Sequence, residues 1–280
     1  MRHALTLGLA ALFALSAGCG QQSADQPSAD AAPAIPAAVQ SDAPTAIAAA
    51  LASTERLAGD ADEDARRYPG EVLAFLGLEP GMRVLDFFAG GGYYTELLSR
   101  VVGADGTVIA YNDALFAKFF GERLNERLSG GRLANVKPLV AEARDLALEP
   151  GELDAAVFVM SFHDLYHRPE GGSATTDVPQ VIAKVFEALK AGGVVLVQDH
   201  TANAGAEVIE AANSLHRIDP EAVKREFAAA GFMFDGESPL FANPADDHSK
   251  GIFDPAIRGS TDRFMLRFSK PLPADPPRAE

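Results

Sequence analysis

Two hydrophobic periodicities alternate along the chain beyond residue 50. Short runs that are apolar at nearly every position are typical of strands buried on both faces, and spacings of three and four residues mark helical segments between them. The apolar runs predict strands over residues 83–88, 107–111, 136–140, 153–160, 194–199, 232–237 and 263–268. The segments between them predict helices over residues 54–67, 69–76, 93–102, 114–128, 178–189 and 220–230.

This order of strands and helices predicts an α/β fold. Because the strands are apolar on both sides, we expect a Rossmann-like, mostly parallel sheet of seven strands with helices on both faces. No helical pattern separates the last two strands, so the last strand is expected to run antiparallel. In sheets of this kind ligands bind at the carboxyl ends of the strands, near the switch in strand order.

The N-terminal region has the composition of an export signal followed by a spacer. After Arg2, residues 4–17 form an apolar stretch that is too short to span a bilayer and that ends near the only cysteine, Cys19. This placement resembles bacterial lipoprotein signals and predicts a signal peptide over residues 1–18 with lipidation of Cys19; ordinary signal cleavage nearby is the alternative. Residues 19–50, rich in Ala, Pro and Ser, predict a flexible low-complexity tether.

Charge restricts the partners that this chain can have. The formal net charge is −15, and a strongly acidic surface is repelled by nucleic acid and by anionic lipid. We therefore expect a small-molecule substrate, no nucleic-acid partner, and membrane contact only through an anchor at Cys19. The expected location is the periplasm, free or as a membrane-anchored lipoprotein, with a folded domain over residues 51–270 and a disordered tail over residues 271–280.

A glycine-rich turn follows the first predicted strand. The strand contains Asp86 near its end and runs through three consecutive glycines, Gly90 to Gly92, into a predicted helix. Glycines let the backbone turn sharply and approach a ligand closely, so this geometry suits a nucleotide. The turn predicts a cofactor site at the carboxyl end of the strand.

The turn resembles motif I of class I S-adenosylmethionine-dependent methyltransferases, in which an acid precedes a G-x-G-x-G turn. Phe88 stands where that pattern has its first glycine. The resemblance implies S-adenosyl-L-methionine as cofactor, with the ribose held at the end of the second strand and the adenine beyond the third. The cofactor-binding residues it implies are Asp86, Ala89, Gly90, Gly91, Gly92, Asn112, Asp113, Glu142 and Ala143.

The resemblance extends over most of the predicted domain. Segments such as residues 71–77, 163–166 and 253–259 are similar to a group of exported bacterial predicted methyltransferases whose substrate is undefined. The similarity therefore implies the fold and the cofactor more firmly than the reaction.

Histidines paired with acids follow two of the central strands. His163-Asp164 comes after the fourth strand and Asp199-His200 ends the fifth, so both pairs are expected at the carboxyl edge of the sheet. A histidine there can take a proton from an attacking nucleophile, and a carboxylate can orient it. We expect His163 as general base, with Asp164 or His200 as its catalytic partner, and no bound metal. The alternative is a metal held by His163 and His167, completed by His200 or Asp199.

The expected function is methyl transfer from S-adenosylmethionine to a small or mid-sized acceptor. Export places the protein away from the cytoplasm, where the cofactor is made, so one alternative is an exported binding module on a methyltransferase fold. Another is a histidine- or metal-dependent enzyme, such as a hydrolase, using the same sheet edge. Arg258, in a loop before the last strand, either binds an anionic substrate or forms a surface ion pair.

Overall fold

The computed structural model describes residues 42–168 and 176–273. The strands are β1 (Arg83–Phe87), β2 (Thr107–Asn112), β3 (Val136–Val140), β4 (Leu153–Val159), β5 (Leu189–His200), β6 (Met233–Ser238) and β7 (Arg263–Ser269). The helices are α1 (Ala43–Ala52), α2 (Asp60–Arg67), α3 (Pro69–Leu76), α4 (Tyr93–Val102), α5 (Ala114–Leu128), α6 (Val178–Ala188), α7 (Val208–Leu215) and α8 (Pro220–Ala229).

The seven strands form one mixed sheet in the order β3-β2-β1-β4-β5-β7-β6. Strands β1 to β5 pair in parallel with one another, whereas β7 runs antiparallel to both β5 and β6. The predicted fold class and the antiparallel last strand are therefore confirmed. The chain runs outward from β1 to β3 and then returns to β4 beside β1, so the carboxyl ends of β1 and β4 border the crevice where such sheets bind ligands.

Apolar side chains cover both faces of the sheet. On β1, Leu85 and Phe87 belong to one core cluster, while Val84, which precedes Leu85, belongs to the other. Successive strand residues point to opposite faces, so a run that is apolar throughout serves both layers. This is why the buried strands were recognisable from the sequence.

The folded domain begins earlier than predicted. Residues 43–50 were assigned to the tether, but they lie in α1, where Ile47 and Ala50 are buried against the domain. An alanine-rich segment has high helix propensity. Because it contains few large side chains, the apolar face that packs against the domain was not recognisable from the sequence. The tether prediction was wrong for these residues.

Two further helices differ from the predictions. The helix predicted over residues 54–67 begins only at Asp60, after Gly59 in the left-handed conformation (φ 83°). Helix α7 was not predicted at all; of its residues, only Ala211 and Ala212 are buried, which is a weak hydrophobic signal.

Several predictions concern residues outside the described ranges. The signal peptide, Cys19, most of the tether and the tail beyond residue 273 lie there. Within residues 42–168 and 176–273, no helix is long and apolar enough to cross a membrane.

Candidate active site

The glycine turn joins β1 to α4 by a sharply bent backbone. Gly90 and Gly92 have positive φ, 55° and 81°, a conformation that residues with a Cβ rarely adopt. At Gly92 a Cβ would also meet Leu124 Cδ1 at 2.8 Å and Arg127 Cδ at 2.9 Å. The turn therefore needs glycine at this position for its backbone and for the close approach of α5.

Phe88 occupies the place of the missing first glycine and also has positive φ, 55°. Its ring is buried and stacks on Phe116 at 4.3 Å between centroids, with the Phe87 ring at 4.8 Å edge-on. The aromatic packing holds a strained backbone in place. The ring lines the site without filling it.

A cavity of about 450 Å³ opens above the turn. Its volume lies within the range of roughly 300–1,000 Å³ that is usual for ligand pockets. Asp86, Ala89, Gly90 and Gly91, all predicted to bind the cofactor, line it. The other lining residues are Gly59, Asp60, Glu63, Arg67, Phe88, Tyr93, Tyr94, Phe116, Phe120, Arg123, Arg127, Val159, Met160 and Ser161.

Gly92, also predicted to bind the cofactor, lies in the turn but does not line the cavity, and neither do the other four predicted cofactor residues. The Asn112 side chain is taken up by the turn itself, because Gly90 N donates to Oδ1 at 2.9 Å and Nδ2 donates to the Gly90 carbonyl at 3.1 Å. Asp113 caps α5, Glu142 is exposed, and Ala143 is buried in the core. Asn112 thus braces the glycine turn, and a direct contact of these four with a cofactor stays a prediction.

Asp86 is a buried carboxyl group at the floor of the cavity. Thr95 Oγ1 donates to its Oδ2 at 2.6 Å. Burial raises the pKa of Asp86 to about 6, against the opposing effects of this hydrogen bond and of the Arg127 charge. The Asp86 carboxyl is ionised at neutral pH, and burial of this charge costs free energy.

A buried ion cluster lies beneath the turn. Arg127 Nη1 lies 2.6 Å from Asp60 Oδ2 and 2.5 Å from Glu96 Oε2, and its Nε donates to the Gly91 carbonyl at 2.9 Å. These contacts join α2, α4, α5 and the glycine turn. The sequence offered no signal for the cluster, because Arg127 lies among other charged residues on a helix that looks solvated.

The histidine-acid pairs do meet at the carboxyl edge of the sheet, but in a different arrangement from the predicted one. His163 Nδ1 lies 2.8 Å from Asp199 Oδ1, and its backbone N donates to Oδ2 of the same carboxylate at 2.8 Å. The Nε2 atom lies 3.4 Å from Asp164 Oδ1. Asp199, rather than Asp164 or His200, is the hydrogen-bond partner of the His163 ring.

Carboxylates on both sides change the acid-base character of His163. Burial lowers its pKa, but Asp199 and Asp164 outweigh this effect and hold the pKa at about 9. His163 is therefore an imidazolium at neutral pH and has no free nitrogen to accept a proton. This electrostatic setting speaks against the expectation that His163 acts as general base.

His200 lies in a contrasting environment. Its Nδ1 lies 2.8 Å from Thr261 Oγ1, and burial lowers its pKa to about 3, so the ring is neutral. His200 lines a second cavity of about 140 Å³. Arg67 and Met160 line both cavities, so the two adjoin at the end of β4. Met160 itself is held at positive φ, 54°, a strained conformation that occurs often at functional sites.

A third histidine completes a cluster that the sequence did not predict as a set. Ligand atoms of His163, Asp164 and His216 all lie within 4.8 Å of one another, a spacing that a divalent cation can bridge. The His167 ring lies 4.8 Å from the His216 ring. The metal alternative expected His163 and His167 with His200 or Asp199, whereas this cluster joins His163 to Asp164 and His216 and does not include His167. The absence of a metal stays a prediction.

Part of the chain is similar in sequence to known methyltransferases. Residues 43–119 match the family of protein-L-isoaspartate(D-aspartate) O-methyltransferase. A ubiquinone/menaquinone biosynthesis C-methyltransferase (UbiE) from Idiomarina loihiensis is 30% identical over 123 residues, 43% of this chain and 43% of that protein. The enzyme of the same name from Shewanella halifaxensis is 30% identical over 128 residues, 45% of each chain. The chain thus spans less than half the length of these curated relatives.

Solved structures share the fold over a longer stretch. A SAM-dependent methyltransferase from Aquifex aeolicus superposes with a TM-score of 0.51 and 19% identity, covering 75% of this chain and 93% of the other. The [4+2]-cyclase SpnF superposes with a TM-score of 0.54 and 18% identity, covering 83% and 94%. The fold is the Rossmann-like fold of S-adenosylmethionine-dependent methyltransferases. Together with the partial sequence matches, this makes the chain similar to S-adenosylmethionine-dependent methyltransferases in fold and in part of its sequence.

Proposed function

We propose that the protein transfers the methyl group of S-adenosylmethionine to a small acceptor at the junction of its two cavities. The observation that carries this proposal is the open cavity of about 450 Å³ above a methyltransferase-type glycine turn. Because the [4+2]-cyclase SpnF has a similar fold, the fold alone does not define the reaction. The matched proteins give no support to an exported binding module or to a histidine- or metal-dependent enzyme of another class.

The side chains around the first cavity suit this cofactor. Phe88, Phe116 and Phe120 present aromatic surface against which a purine ring can pack. Asp86 supplies negative charge for a cationic sulfonium ligand. Bound there, the cofactor supplies an activated methyl group.

The chain's own task is to align the acceptor and to exclude water, because the sulfonium is already a good leaving group. Held by the residues of the first cavity, the cofactor would supply the methyl group and would be converted to S-adenosylhomocysteine. The neutral His200 ring lines the second cavity, where it can hydrogen-bond an acceptor, but a pKa of about 3 makes it a weak base for taking a proton from that acceptor. Asp199 accepts hydrogen bonds from the His163 ring and from the His200 backbone N, so the His163–Asp199 pair holds this edge in position.

Calorimetric titration with S-adenosylmethionine tests the cofactor site. We expect one molecule to bind per chain and Gly92→Ala to abolish binding, because the new Cβ meets Leu124 and Arg127 in a backbone conformation that disfavours alanine. Gly121→Ala is the matched control: Gly121 lies within α5, and a Cβ there meets nothing within 4 Å. Wild-type protein that binds no cofactor, or a Gly92→Ala variant that binds normally, would contradict the proposal.

The cellular setting proposed here rests on the N-terminal sequence. Residues 1–18 carry the features of an export signal, and Cys19 those of a lipidation site. On this basis we place the enzyme outside the cytoplasm, with small molecules as its partners.

A further inference from the structure

We infer that the second cavity binds an anionic group, a carboxylate or a phosphate, on the methyl acceptor. The inference rests on the proposed function and adds the chemical class of the substrate. Arginines gather around this small space: Arg66, Arg67, Arg258 and Arg263 all line it. In a chain with a net charge of −15, a wall of four cations requires an explanation.

Two of these arginines have no carboxylate partner. Glu63 pairs with both Arg66 and Arg67. In the described part of the chain, no acidic side chain forms an ion pair with Arg258 or Arg263. Among the described residues these two charges therefore have no carboxylate to balance them; Arg258 is exposed to solvent, whereas Arg263 is half-buried and is the one for which the missing partner is costly.

Arg263 is the more constrained of the two. Its guanidinium lies 4.2 Å from the Phe241 ring centroid, and its Nη2 donates to the Arg66 carbonyl at 3.1 Å. The Nε atom is buried and has no hydrogen-bond partner among the described residues. A buried cationic donor without a partner costs free energy, and an anion in the cavity would offset that cost. Guanidinium groups hold carboxylates and phosphates through paired hydrogen bonds, which fixes orientation as well as affinity.

The location of the cavity connects this anion site to the chemistry. Arg67 and Met160 also line the first cavity, and His200 lines the second. An acceptor anchored by its anionic end at Arg258 and Arg263 would thus lie between the methyl donor and a neutral imidazole. A volume of about 140 Å³ admits a small molecule or the charged end of a larger one. The sequence left Arg258 undecided between substrate binding and a surface ion pair, and Arg258 forms no ion pair within residues 42–168 and 176–273.

Calorimetry with three probes of similar shape tests the inference: benzoate, phenyl phosphate and uncharged benzamide. We expect at least one anionic probe to bind the wild-type protein, and Arg258→Gln to weaken that binding about tenfold or more, as loss of a charge-assisted hydrogen bond does. Arg225→Gln is the matched control, because Arg225 is an exposed arginine on α8 outside both cavities. Preference between benzoate and phenyl phosphate separates a carboxylate from a phosphate site.

Titrating the same proteins with S-adenosylmethionine separates this inference from the proposed function. Wild-type protein that binds the cofactor but binds both anions no better than benzamide overturns the anion site alone. An equal loss of anion binding in Arg225→Gln and Arg258→Gln also overturns it, because a general charge effect would then suffice. An Arg263→Gln variant that remains folded by circular dichroism should lose anion binding as well. Retained binding in both Arg258→Gln and Arg263→Gln contradicts the assignment.

Discussion

The strained backbone at Phe88 allows a sharp test of the glycine turn. Replacing Phe88 by alanine or by glycine removes the same buried ring, so the two variants differ only in whether a Cβ remains. Losing the ring costs about 3–5 kcal/mol of unfolding free energy in either variant. At φ 55°, the Cβ adds about 1–2 kcal/mol of left-handed strain that glycine does not have.

Glycine also has a cost of its own, about 0.5–1 kcal/mol, since its unfolded chain is more flexible. Because the strain of the Cβ exceeds the cost of glycine's flexibility, Phe88→Gly should be about 1 kcal/mol more stable than Phe88→Ala. At most positions the glycine variant is the less stable of the two. Phe87 is the control, because it lies in β1 with a fully buried ring and without positive φ. There, glycine should be less stable than alanine by about 0.5–1 kcal/mol.

Urea unfolding followed by circular dichroism measures both pairs of variants. At the size of this domain, 1 kcal/mol corresponds to a melting-temperature difference of about 2–4 °C, so thermal scans give an independent reading. If Phe88→Gly falls below Phe88→Ala by the same margin as at Phe87, the backbone at residue 88 is not strained. The structural account of the substituted first glycine would then be refuted.

Two further predictions concern buried charges near the turn. The pKa of Asp86 is raised to about 6 in the folded state. Its contribution to the free energy of unfolding is therefore most favourable below about pH 4 and is lost as the pH rises through 6. The loss amounts to about 3 kcal/mol. The difference in unfolding free energy between wild type and Asp86→Asn, measured in urea, should change by about this amount from pH 4 to pH 7. A difference that stays constant with pH would contradict the prediction. Arg127→Met should cost about 3–5 kcal/mol of unfolding free energy because it leaves Asp60 and Glu96 buried without this partner. Arg144→Met, at the exposed pair with Asp145, should cost less than about 1 kcal/mol. Equal losses in the two variants would argue against the buried cluster.

Local patterns were enough to predict the sheet and the glycine turn. A strand such as β4 is apolar on both faces whatever surrounds it, and helix α3 starts at Pro69 and ends at Gly77 by the stereochemistry of those residues. The turn after β1 was visible because its conformation requires consecutive glycines. These features depend on neighbours in the chain, so they can be read along it.

The errors arose where burial depends on distant residues. Helix α1 has the composition of a spacer, and only its packing against α3 and α4 shows that Ile47 belongs to the core. An asparagine side chain such as that of Asn112 can bind a ligand. In the folded chain, however, its amide forms hydrogen bonds with the backbone of Gly90.

The chemistry of the site was settled only by the folded chain. His163 and Asp199 are far apart in sequence, and the parallel pairing of β4 and β5 brings their side chains to 2.8 Å. The same convergence keeps His163 protonated and leaves His200 neutral, although the two residues have the same intrinsic pKa. Residue type and spacing determined the fold and the kind of cofactor; the protonation states and the arginine-lined cavity depend on distances and burial, which exist only once remote segments have packed together.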